Sequence, residues 1–70
     1  MNIEKQAGKD IAKAKAALIK KCHTKGIYEN FGQEQVRKLK DKYFDQTYAR
    51  NTVSSQIDRF NDWCMNYTGG

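Results

Sequence analysis

The stretch IEKQAGKDIAKAKAALIKKCHTK, residues 3–25, decides the fold. With successive side chains about 100° apart around a helix axis, Ile3, Ala7, Ile11, Ala14, Leu18 and Cys22 fall on one side. Lys5, Lys9, Lys13 and Lys20 fall on the opposite side. The segment reads as an amphipathic helix with an apolar seam and a cationic back. Lys20, Lys21 and Lys25 suit the negative pole at the C-terminal end of such a helix. Gly26 is the expected left-handed C-cap, with Ile27 folding back onto the last turn.

Working outward, Ile27-Tyr28-Glu29-Asn30-Phe31-Gly32 reads as an apolar loop packed onto the core, with Gly32 as the N-cap of a second helix over 33–44. Phe31 and Val36 stand at the two positions of a hydrophobic staple, and Gln35 at the capping-box position. Val36, Leu39, Tyr43 and Phe44 are the inward residues of that helix. Residues 45–50 break the period and read as a connector. A third helix over 52–67 follows, capped by Asn51 or Thr52. Its seam is Val53, Ile57, Phe60, Cys64 and Tyr67, at spacings of 4, 3, 4 and 3. Trp63 stands at the edge of that seam and widens its contact.

Three helices, no strand-like alternation and no proline predict an all-α, small three-helix bundle occupying residues 1–70 as a single domain. Fraying is expected only at Met1, Gly69 and Gly70. A chain of this length buries only about 60% of its unfolded surface, so its core is thin. All eight aromatic residues lie at or beyond Tyr28, so the first helix supplies small and aliphatic groups and the other two supply rings. Ala7, Ala14 and Ala17 are expected to let those bulky partners approach.

Charge is unevenly placed. Of the net +5, residues 1–25 carry +5, residues 26–50 carry +1 and residues 51–70 carry −1. A surface meant for a polyanion is therefore expected on the first helix, through Lys5, Lys9, Lys13 and Lys20. Lysines attract phosphate without the bidentate recognition that arginine offers, so the stripe implies charge attraction rather than base reading.

Residues 48–57, Tyr-Ala-Arg-Asn-Thr-Val-Ser-Ser-Gln-Ile, resemble the turn and recognition-helix half of helix-turn-helix DNA-binding proteins, whose Thr-Val-Ser run buries the valine. The resemblance implies that Arg50, Asn51, Thr52, Ser54 and Ser55 face a major groove while Val53 and Ile57 pack inward. Asp58 and Asp62 on the same helix narrow any polyanion's approach to the first-helix side.

Catalytic and metal chemistry are not expected. The single histidine, His23, adjoins Cys22 on a helix, where neighbours point about 100° apart. The trio Cys22, His23 and Cys64 lacks the fourth ligand and the spacing of a structural zinc site. Both thiols fall on apolar faces, where reduced cysteine acts as a small hydrophobe. A bridge between them requires that the two seams meet, and a reducing compartment opposes it.

No apolar run approaches the roughly 18 residues of a membrane span, and the N-terminus has no signal-peptide core, so the expected place is the cytoplasm. The expectation is a non-enzymatic binding protein without cofactors, associating with nucleic acid or a nucleic-acid-handling complex. Its partner in that complex is nucleic acid itself, an acidic protein surface or a nucleoprotein. In size, lysine content and lack of catalytic groups it is also similar to small accessory proteins of bacteriophages and mobile elements, which implies an adaptor or inhibitor acting on a larger host protein. Self-association through Trp63 is a third arrangement the sequence leaves open.

Overall fold

The computed structural model describes residues 3–21, 25–45 and 50–67, with the side chains of Lys25, Gly26, Tyr28 and Arg50 excepted. Three helices make up the bundle: α1 (Ile3–Lys21), α2 (Lys25–Tyr43) and α3 (Arg50–Asn66). Cross-contacts give their directions. Lys21 reaches Phe31 and Asp10 reaches Lys42, so α1 and α2 are antiparallel. Gly32 meets Cys64, while Gly8 lies by Gln56 and Lys15 by Trp63, so α3 runs against α2 and along α1.

The core consists of Ala7, Ile11, Ala14 and Leu18 from α1, Val36, Leu39 and Tyr43 from α2, and Val53, Ile57, Phe60 and Cys64 from α3. Val53, Ile57, Phe60 and Leu18 are fully buried, and each such aliphatic or aromatic side chain stabilises the fold by roughly 1.5–3 kcal/mol. Ile3, Phe31, Phe44, Trp63 and Tyr67 pack around them half-buried. Trp63 extends the α3 seam as a ladder: its ring is 5.9 Å from Phe60 and 5.1 Å from Tyr67, with the Lys15 ammonium 5.0 Å above it.

The second helix differs from the expected boundaries. Residues 27–32 are helical, so α2 begins eight residues before the anticipated start, and Lys25 opens it instead of closing α1. Gly26 is therefore no C-cap, Gly32 no N-cap, and Phe31 with Val36 no staple. The reason lies in packing. Gly32, Val36, Leu39 and Tyr43 recur at spacings of 4, 3 and 4, and Gly32 is the buried seam position with the smallest side chain. A Cβ there would lie 2.9 Å from Cys64 Cβ and 3.0 Å from its Sγ, so the missing side chain is what lets α2 and α3 come this close.

Smaller corrections follow from the same register. Ile27, now on α2, is 43% exposed instead of folding back onto α1. Asn51 and Thr52 lie inside α3, which starts at Arg50, so neither is its cap. Ala17 is exposed rather than packed. Phe44 continues the hydrogen bonding of α2 by one residue, its amide donating to the Lys40 carbonyl at 2.8 Å. The expectations for Cys22, His23, residues 46–49 and the terminal glycines fall outside the described residues. Cys64 is buried.

Candidate functional site

Lys5, Lys9, Lys13 and Lys20 are all exposed, on the side of α1 opposite Ala7, Ile11, Ala14 and Leu18. The other α1 lysines are used differently. Lys15 caps the Trp63 ring, and Lys21 stands 5.8 Å from the centre of the Phe31 ring, both contacts that favour a cation over an aromatic face. Lys15 is half-buried against its ring and Lys21 stays exposed beside its own, while the stripe faces water.

The stripe does not stand alone. Between α1 and α2 runs a groove of about 330 Å³, lined by Asp10, Lys13, Ala14, Ala17, Gln35, Lys38, Leu39 and Lys42. Lys13 thus belongs both to the stripe and to the groove. Across from it stand two lysines of α2, Lys38 and Lys42, that charge counting along the chain did not single out. One turn is about 5.4 Å, so the i to i+4 spacing of Lys38 and Lys42 puts both on the flank turned toward α1. That signal was present in the sequence, but choosing the flank required knowing how α2 faces α1.

At one end of the groove sits a polar clamp. The Asp10 carboxylate, 17% exposed, accepts from Lys42 Nζ at 2.9 Å, from the Tyr43 hydroxyl, and from Gln6 Nε2 at 3.2 Å. These donors stabilise the ionised form, Lys42 and Tyr43 most strongly, and hold the Asp10 carboxyl down from its ordinary 3.8 to about 2. The same contact holds the Lys42 ammonium above its ordinary range, mainly through the hydrogen bond to Asp10. Burial, and then the bond to Asp10, push the Tyr43 phenol up, so it stays a proton donor. Lys42 also lies 5.3 Å from the centre of the Tyr43 ring.

The third-helix candidates are dispersed differently. Asn51, Thr52 and Ser55 are exposed, Ser54 is half-buried, and Arg50 occupies the first position of α3. Val53 and Ile57 are fully buried, as the pattern of that segment requires. Asp58, Arg59 and Asp62 are exposed farther along. The α1 stripe and the α3 residues therefore lie on separate helices, and no groove residue comes from α3.

Among the described residues no three potential metal ligands gather, and no helix is long and apolar enough to cross a membrane. No protein-family model matches the chain, and neither a curated protein nor a solved structure does.

Proposed function

We propose that this protein is a non-enzymatic cytoplasmic binding protein that associates with nucleic acid, or with a complex handling it, through the lysine face of α1. The observation that carries the reading is the exposed line of Lys5, Lys9, Lys13 and Lys20 on α1, with Lys38 across the groove from Lys13. Each phosphate neutralised by such a lysine releases counterions, which makes binding strong at low salt and steeply salt-dependent. In this reading Asn51, Thr52 and Ser55, exposed at the start of α3, add contacts of the helix-turn-helix kind. Asp58 and Asp62 repel phosphates from the rest of that helix, so the strand approaches from α1.

The test is a salt-titrated mobility shift with DNA and RNA. Changing Lys5, Lys9 and Lys13 together to glutamate abolishes binding while leaving the helical circular-dichroism signal intact. Affinity equal to the parent's would sink the proposal. An adaptor that docks on a larger protein gives the opposite pattern in a pull-down, because its partners persist after nuclease treatment.

A further inference from the structure

We propose that the groove between α1 and α2 is the seat of a nucleic-acid strand's phosphodiester backbone, gripped by Lys13 from one side and Lys38 from the other. The inference rests on the nucleic-acid reading above and assigns it a site.

Three features of the groove point to a polyanion. Its rim carries three ammoniums, Lys13, Lys38 and Lys42, against one carboxylate, Asp10. That carboxylate is already satisfied by Lys42, Tyr43 and Gln6, so it does not repel an incoming phosphate as an unpaired acid would. Lys13 and Lys38 have no carboxylate partner among the described residues and remain available to an anion.

The floor is the second feature. Ala14, Ala17 and Leu39 lie beneath the lysines, and the small exposed Ala17 leaves room for an occupant to enter between the helices. Gln35, half-buried on the wall, adds an uncharged amide donor. Continuity is the third. At 1.5 Å per residue, Lys9 lies about 6 Å along α1 before Lys13, and Lys20 about 10 Å beyond it. The cationic line thus runs out of the groove in both directions, which suits an extended chain of phosphates better than a single anion.

The molecule holds a natural comparison. A second groove of about 230 Å³, between α2 and α3, is lined by Gln33, Val36, Arg37, Lys40 and Asn61. It too carries two cations. Each groove has an exposed acid one turn from its lining, Glu34 before Lys38 and Asp58 before Asn61. Equal charge can therefore be removed from either groove.

The experiment measures binding of a fluorescent single strand and a fluorescent duplex as salt is varied. Lys13→Gln with Lys38→Gln is expected to lower the salt slope by about two and affinity by about tenfold or more. Arg37→Gln with Lys40→Gln is expected to leave the slope unchanged. Ala17→Phe keeps the charge but fills the floor, and is expected to weaken binding by about tenfold. Ala17→Gln replaces it if phenylalanine unfolds the bundle. Equal losses from the two charge pairs would overturn the groove assignment while leaving nucleic-acid binding in place, as would undiminished binding by the filled groove. A parent protein that binds neither probe overturns both the assignment and the reading beneath it.

Discussion

Where α2 meets α3, Gly32 lies against Cys64, Val53, Ile57 and Phe60 fill the inner side, and the outer side opens into the smaller groove of about 230 Å³ beside Arg37 and Lys40. Where α2 meets α1, Ala14 and Leu39 close only the inner side, and the outer side opens into a groove rimmed by lysines. One helix thus takes part in two seams that differ in how closely their helices approach. The tighter seam, at Gly32, devotes its inner residues to burial. The wider one gives up burial at Ala17 and keeps a charged cleft, which is an arrangement that stability alone does not ask for.

Breaking the tighter seam has the largest effect. Phe60→Ala removes a ring that is 1% exposed and costs about 3–5 kcal/mol, a large part of the roughly 4–10 kcal/mol that holds a domain of this size. Urea denaturation followed by circular dichroism measures it. A loss below about 1 kcal/mol would mean that the α3 seam is much looser than its burial indicates.

Gly32→Ala sharpens the comparison, because helix propensity and packing oppose each other there. Alanine is favoured over glycine inside a helix by about 1 kcal/mol. Its Cβ, though, would stand 2.9 Å from Cys64 Cβ, an atom fixed to the backbone, so α3 must move, and overpacking of this kind costs about 1–3 kcal/mol. The expected net result is destabilisation of up to about 2 kcal/mol, partly relieved on a Cys64→Ala background where Sγ is gone. A Gly32→Ala protein more stable than the parent would show slack at this crossing.

These two seams were not equally legible in the sequence. The α3 seam was plain, since Val53, Ile57, Phe60 and Cys64 each announce an apolar position. The α2 side of it was hidden by Gly32, whose contribution is an absent side chain. Read along the chain, a glycine followed by a helical pattern looks like a boundary, and only the partner helix shows that it is a contact. The exposure of the α1 stripe was legible because the opposite face of α1 is so regularly apolar. Asp10 was not, for its partners Lys42 and Tyr43 are 32 and 33 positions away and no local pattern links them.

The Asp10 clamp gives the wider seam a pH signature. Its carboxyl titrates near 2 in the fold against 3.8 when unperturbed, so the fold binds fewer protons than the unfolded chain between those values. A depressed acid contributes stability that is fully present above its unfolded pKa and is lost as pH falls through the folded one. The clamp is therefore intact above about pH 5 and fails between about pH 4 and pH 2. Because Lys42 is 61% exposed and screened by water, the contribution is about 1–2 kcal/mol at neutral pH. Asp10→Asn should lower stability at pH 7 by about that amount and flatten the loss between pH 4 and pH 2. An unaltered acid-unfolding profile in the variant would show that Asp10 does not fasten α1 to α2.

The smallest expected effect bears most directly on what the wider seam is for. Lys13→Gln and Lys38→Gln remove exposed ammoniums with no carboxylate partner among the described residues, and surface changes of this kind usually stay within about 0.5 kcal/mol. If anything, removing one like charge from the rim relieves repulsion, so the melting temperature should hold or rise slightly. Thermal denaturation at low salt, where exposed charges are least screened, is the most sensitive setting for that rise. A clear loss of stability from either substitution would mean that the lysines hold α1 to α2. Their charge would then be explained by the fold, and the contrast between a seam for folding and a seam for binding would disappear.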